Sequence, residues 1–278
     1  MTSEKLIFCM KTIYSNIHVY EKGFVRIMSL GDAPRDNTQA MIDVRDLGKH
    51  MLEYTRMVFA GLLLNEDPKN VLVIGLGSGV IIREIHQYFP KADIDIVEID
   101  SEVVKVAEKF FFFKPDEKIH VHVEDGREYI HRQAAMHKVY DTIILDAFDG
   151  DYIPTHLTTQ EFLAEVRRLL DPKGVVIANI LSSHRFFDSQ VQTFKEEFGR
   201  CYLFFDRHVS NVILTAPGSA LPDLKRKEGI ERAKLLQERY GFSFSMSMVA
   251  KQFKPGYRPD HRAQVLTDHS GYRIRIIK

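Results

Sequence analysis

The sequence predicts an α/β protein: a seven-stranded, mostly parallel sheet flanked by helices and preceded by a small antiparallel β module. Two observations carry this reading. From position 71 to 216, short Val- and Ile-rich runs alternate with helical patterns, and strands that are apolar nearly throughout belong to a parallel sheet covered on both faces. The segment "NIHVYEKGFVRIMSL" instead alternates polar and apolar residues around a Glu-Lys-Gly turn, the pattern of antiparallel strands with one face buried.

In chain order, the stretch from Leu6 to Leu30 predicts two or three antiparallel strands, and "GDAPRDNTQ" predicts a loop. Helical spacing begins near "RDLGKHMLEYTRMVFAGLLL", with Leu52, Met57, Phe59, Ala60 and Leu63 as core candidates. The seven strands of the main sheet are expected at 71–75, 94–99, 119–124, 141–147, 175–181, 201–205 and 211–216, the last two joined as an edge hairpin. Between them, Val103, Val104, Ala107, Phe110 and Phe111 form a helical stripe behind a Ser101 cap, and Phe162 to Leu170 form another behind a Thr158-x-x-Glu161 capping box. The aromatic run at 110–113 reads as core packing. Three units follow: a β module over 1–48, a Rossmann-like nucleoside-binding domain over 49–217, and a C-terminal extension over 218–278 packed on it.

Composition narrows the function. Acidic and basic residues balance at 38 each, so no basic surface recruits nucleic acid or an anionic membrane. No apolar run reaches the ~18 to 20 residues of a membrane span, and the opening residues do not resemble a secretory signal; a cytoplasmic protein is expected. Cys9 and Cys201 lie far apart and outside any metal-ligand spacing, so neither a disulfide nor a metal site is expected.

In an open parallel sheet, ligands sit beyond the carboxyl ends of the strands. After the first strand comes Gly75-Leu76-Gly77-Ser78-Gly79, a turn that lets a ligand approach the backbone at a helix N-terminus. A dinucleotide fingerprint would need glycine where Val80 stands, so the loop suits a nucleoside without a pyrophosphate. After the second strand, Glu98 lies 21 residues past Gly77, where an acid can accept from both ribose hydroxyls; Asp100 reads as the start of the next helix. After the third, Asp125 can accept from the exocyclic amine of adenine or cap the helix that follows, and Gly126 permits the turn. The fourth strand ends in "ILDAFDGDY", which sets Asp146, Asp149 and Asp151 within six residues.

With these residues in order at consecutive strand ends, the sequence resembles the class I S-adenosylmethionine-binding fold, and more closely the spermidine synthase (polyamine aminopropyltransferase) family. The likeness runs from about Tyr14 to Leu181 and includes the β module. The resemblance implies that Asp146 holds and deprotonates the attacking amine, that Asp149 fixes the substrate's cationic amine, and that Tyr54 lines the acceptor pocket. It also implies S-adenosylmethionine or its decarboxylated form as co-substrate, a small-molecule amine such as putrescine as acceptor, and a homodimer. Sulfonium donor and polyamine acceptor are both cations, which accounts for carboxylates at the mouth of the pocket. "GDYIPTHLTT" reads as a lid in which Tyr152, Ile153 and Pro154 exclude water; His156 either assists proton transfer or simply faces solvent. Asp268, in "VLTDHS", folds back toward the acceptor pocket or forms a surface turn.

Two positions depart from the family pattern. Its glycine loop carries an Asp where Ser78 stands, and its Tyr-His/Gln-Glu-Met segment reads Tyr54-Thr55-Arg56-Met57 here. Losing a carboxylate and gaining a guanidinium favours a donor that keeps its own carboxylate, which Arg56 would pair with bidentately. Three readings follow: aminopropyl transfer to an amine, methyl transfer from intact S-adenosylmethionine, and a non-catalytic nucleoside-binding module.

Overall fold

The computed structural model describes residues 3–32, 38–148 and 153–269. A first sheet consists of β1 (Lys5–Lys11), β2 (Asn16–Lys22), β3 (Val25–Leu30) and β4 (Thr38–Asp43), antiparallel in chain order. β4 begins within the stretch expected to be a loop. In "TQAMID" the alternate residues Ala40 and Ile42 are buried, a two-residue period that the preceding Gly, Asp and Pro residues obscure in the sequence.

The chain then forms α1 (Glu53–Met57) and a 3₁₀ turn, Val58–Leu63. Here a longer α-helix was expected. All six residues of the turn are buried, and Gly61 approaches Ile177 so closely that an added Cβ would lie 2.3 Å from its Cδ1. With no polar face to present, the segment has no need of a 3.6-residue stripe, and the tighter turn brings the backbone onto the sheet.

The main sheet follows: β5 (Asn70–Ile74), α2 (Val80–Tyr88), β6 (Asp93–Glu98), α3 (Ser101–Phe111), β7 (Ile119–Val123), α4 (Gly126–Ala135), β8 (Tyr140–Leu145), α5 (Gln160–Leu169), β9 (Leu170–Leu181), α6 (Phe187–Phe198), β10 (Tyr202–Phe205) and β11 (Asn211–Pro217). Beyond it come α7 (Arg226–Tyr240), α8 (Met246–Lys251) and β12 (Phe253–Lys254). The strand order is β12-β10-β11-β9-β8-β5-β6-β7. β9, β8, β5, β6 and β7 are mutually parallel, and β11, β10 and β12 add antiparallel pairings. The sheet thus has eight strands against the seven expected; β12 is two residues long, below what any sequence periodicity can register.

Side-chain direction alternates along each strand, and this sorts the core. Val71 and Val73 of β5, Ile144 of β8, Ile177 of β9 and Ile213 of β11 face one layer, made by the 3₁₀ turn, α2, α7 and α8. Leu72, Ile74, Ile143, Leu145, Val176, Ala178 and Ile180 face the other, made by α4, α5 and α6. The first sheet packs on α3: Ile17, Val19, Met28 and Ile42 join Val103, Val106 and Phe111 in a third cluster. Of the aromatic run, Phe111 and Phe113 are buried, whereas Phe112 is exposed.

Asp100 starts α3 as expected, and it, not Ser101, is the cap, accepting from the Glu102 amide (2.9 Å). Thr159, not Thr158, caps α5, while the Thr158 hydroxyl donates to the Thr155 carbonyl. In each pair the capping residue has extended backbone and the helix begins at the next residue.

Phe111 is fully buried between α3 and the first sheet. Phe111→Ala is expected to cost about 3–5 kcal/mol in urea unfolding.

Candidate active site

Strand order reverses between β5 and β8, where helices leave the sheet in opposite directions and a crevice opens beyond the carboxyl ends. The glycine loop follows β5 directly. Gly75 has φ +98°, and a Cβ on it would lie 2.4 Å from the carbonyl oxygen of Asp146; only glycine lets the two strand ends close on each other. Gly77 has φ +55° and nothing within 4 Å of a built Cβ, so the loop keeps an open side. Ser78 is buried, and Gly79 caps α2 in the left-handed region.

Glu98 ends β6 and is 9% exposed. Its two oxygens accept separately from the amides of Leu76 (3.1 Å) and Asp100 (3.0 Å), which ties the glycine loop to the β6 end. Burial raises its pKa, and these amides offset the rise only in part. Each oxygen has a second lone pair for a further donor. The first sheet reaches the same place: the Thr12 hydroxyl donates to Asp100 Oδ2 at 2.6 Å.

Asp125 caps α4, its Oδ1 accepting from the amides of Arg127 (2.8 Å) and Glu128 (3.2 Å). Gly126 is the first residue of that helix; a Cβ there would meet Ile74 at 2.6 Å. Asp125 Oδ2 pairs with His156 Nε2 at 3.0 Å. Burial works against the charged form of Asp125, but His156 and the two amides outweigh it, and the pKa falls. His156 therefore has a carboxylate partner instead of facing solvent alone. Arg127 donates to the His156 carbonyl (3.2 Å) and pairs bidentately with Asp268, at 2.8 and 2.5 Å. Asp268 thus folds back onto the loop that carries Asp125. The chain leading to it is held by Gln160 N to Leu266 O (2.7 Å) and Leu266 N to Thr193 Oγ1 (2.9 Å).

Asp146 follows β8, its amide bonded to the Ile74 carbonyl (2.9 Å). It continues the parity of Ile144, so its side chain emerges on the α1 face of the sheet. It keeps partial exposure at the mouth of the crevice, yet the surrounding protein desolvates it. Burial pushes its carboxyl up to about 7, opposed by a hydrogen bond from Asn179 Nδ2 at 2.8 Å. Tyr54 faces it from α1 and donates to the Gln39 carbonyl (3.1 Å). Burial and then the charge of Asp146 raise the phenol's pKa well above its usual value. Asp149, Asp151 and Tyr152 lie outside the described residues; Ile153 packs on the α4–α6 layer.

The neighbouring ends of β8, β5, β6 and β7 therefore gather Gly75, Gly77, Ser78, Gly79, Glu98, Asp125, Gly126 and Asp146, with Tyr54 facing Asp146 from α1. Arg56 goes elsewhere. Its Nε donates to Glu53 Oε1 (2.6 Å), and a second guanidinium contact joins it to Glu53 Oε2. Gln252 Nε2 links that carboxylate (3.3 Å) to Asp206 (2.8 Å), which follows β10, four strand positions from β5. With its charge met by Glu53, Arg56 lends no support to a carboxylate-binding role. Asn179 is the residue that sequence reasoning passed over; the signal was a lone amide within the apolar run "VVIANIL". Among the described residues, no group of three or more His, Cys, Asp or Glu could hold a metal, and no helix is long and apolar enough to cross a membrane.

The fold is that of an α/β, Rossmann-like domain of the methyltransferase type, with a small antiparallel sheet before it. Comparison with known proteins narrows this. Residues 51–214 match the model of the spermine/spermidine synthase domain. A polyamine aminopropyltransferase of Vibrio vulnificus is 36% identical over 215 residues, covering 77% of this chain and 72% of that protein. Among solved structures, human methyltransferase-like protein 13 in complex with SAH matches with TM-score 0.62 and 29% identity, over 76% of this chain and 97% of that one. A spermidine synthase in complex with the transition-state analogue AdoDATO matches in fold with TM-score 0.70 and 20% identity, over 89% and 85% of the two chains. The chain belongs to the spermine/spermidine synthase family.

The sign of the Asp146 shift gives a stability test. A carboxyl whose folded pKa is raised to about 7 stabilises the fold fully below its unfolded pKa and loses that contribution as pH rises to about 7. Asp146→Asn is therefore expected to match the parent near pH 4. At pH 8 it should be more stable by roughly 1–3 kcal/mol, discounted for partial exposure, read by urea unfolding at both pH values.

Proposed function

We propose that this protein transfers the aminopropyl group of decarboxylated S-adenosylmethionine to a small primary amine such as putrescine. The observation that carries the reading is Asp146, a desolvated carboxyl with a pKa of about 7 at the strand end that adjoins the glycine loop. Such a group is poised as a general base near neutral pH. The polyamine aminopropyltransferase among the relatives supports the donor and acceptor classes. A cytoplasmic homodimer accords with the family resemblance.

The crevice suits an adenosine-bearing donor. Glu98 has lone pairs left for the ribose hydroxyls, the open side of Gly77 leaves room against the backbone, and Asp125 offers acceptors to an exocyclic amine. An alkylamine has a pKa near ~10 and must lose a proton to attack carbon. The neutral amine donates to Asp146. As its nitrogen bonds to the propyl carbon attached to sulfur, the C–S bond of that carbon breaks, methylthioadenosine departs with the electron pair, and the amine proton passes to Asp146. Because the sulfonium charge disperses during displacement, alignment of nitrogen, carbon and sulfur counts for more than added charge. Tyr54, kept protonated, shapes the slot on the α1 side.

A second reading is methyl transfer from intact S-adenosylmethionine. Ser78 favours it, since this position offers no carboxylate to the donor's amine, as does the 29% identity with a methyltransferase structure. Mass spectrometry of an amine panel incubated with each donor separates the two. The proposal expects products heavier by an aminopropyl group and formed from the decarboxylated donor; methylated products from the intact donor would transfer the assignment to the second reading.

With a productive acceptor in hand, Asp146→Asn should lower kcat by about 10²–10⁴-fold. In the parent, kcat/KM should rise with pH through about 7, as Asp146 loses its proton.

A further inference from the structure

Asp146 has a polar neighbour inside the sheet, Asn179. Asn179 lies in the middle of the sheet on β9 and is 2% exposed. It follows Ile177 by two residues as Asp146 follows Ile144, so both polar side chains occupy positions that the strand period gives to core residues on the same face. A buried amide in such a place is costly unless its donor and its acceptor are both used. Here both are. Nδ2 donates to Asp146 Oδ1 at 2.8 Å, and Oδ1 accepts from Asn211 Nδ2 at 2.9 Å. Asn211 opens β11, two residues before Ile213, which pairs directly with Asn179.

The two ends of a carboxamide have nearly the same shape, so shape alone does not decide which end faces Asp146. The ionised carboxylate decides it: Asp146 can only accept, so Asn179 must turn its NH₂ toward it, which leaves Oδ1 to accept from Asn211 Nδ2. We propose that Asn211 and Asn179 form a directional amide relay that holds Asp146 Oδ1 and leaves Oδ2 to receive the proton of the acceptor amine. Both are positioning residues, acting on substrate only through Asp146. The inference rests on Asp146 serving as the base.

The relay also tunes the base. Donation from Asn179 favours the ionised carboxylate and opposes the rise caused by burial. Among the described residues, the titratable group that faces Asp146 from the packed elements is Tyr54, which stays protonated over the working range; Asn179 and Asn211 are neutral. Loss of the relay should therefore move the Asp146 titration upward.

The test uses protein labelled with ¹³C at aspartate carboxyls, with the Asp146 signal identified by its absence in Asp146→Asn. Asn179→Ala should raise the Asp146 titration midpoint by about one unit or more and lower kcat roughly 10- to 100-fold, the worth of a hydrogen bond to a charged group. KM for the donor should change little. Asn211→Ala should shift the midpoint in the same direction by less. Asn211→Asp should be worse than Asn211→Ala despite its closer shape, because an acceptor at that position turns the Asn179 amide the wrong way. Folding of each variant is checked by its thermal transition, and the Asn211 variants keep Asn179 in place should Asn179→Ala fold poorly. An unmoved Asp146 midpoint in Asn179→Ala, or in both Asn211 variants, would overturn the relay. If the parent transfers no alkyl group to any amine, the functional reading fails, and the carboxyl titration still decides the relay.

Discussion

Asp146, the carboxylate we propose as the base, sits where protein has taken most of its water away, and much of the surrounding structure bears on that conflict. Desolvation lifts Asp146 to about 7, which suits a base but costs folding free energy at higher pH. Among the described residues the sheet supplies one compensating contact, the amide of Asn179, and the guanidinium in the sequence motif, Arg56, is bound to Glu53. A neutral partner is the better choice for a group that is to accept a proton, since a paired cation would hold the carboxylate ionised and weaken it as a base.

The same crevice joins three parts of the chain. Glu98 binds the glycine loop to the β6 end, Thr12 brings the first sheet onto Asp100, and Asp268 brings the C-terminal segment onto Arg127 beside Asp125. The proposed donor site is thus held together by segments far apart in sequence. The β module and the C-terminal extension are packed into the architecture of the site, with Phe111 and β12 as their points of attachment.

Much of this was legible beforehand. The two-residue period of the strands, the glycine turn and an acid at each strand end are local patterns, and they located the sheet and the strand ends at which Gly75, Glu98, Asp125 and Asp146 stand. Contacts between distant residues were not legible. The His156–Asp125 pair spans 31 residues and the Arg127–Asp268 pair 141, and nothing in either segment announces its partner. The Arg56–Glu53 pair is legible, since the two residues stand at i,i+3 on one helical turn. Asn179 could have been found from the sequence, because a single amide inside a buried strand demands a partner.

If Asp146 is the base, the donor's reacting carbon must meet the acceptor there while Glu98 and Asp125 hold its ribose and base. A crystal structure of the protein with methylthioadenosine would decide it. Ribose hydroxyls are expected within hydrogen-bond distance of Glu98, the base amine at Asp125, and the sulfur turned toward the open side of Asp146. A nucleoside bound elsewhere, or bound with its sulfur directed away from Asp146, would contradict it.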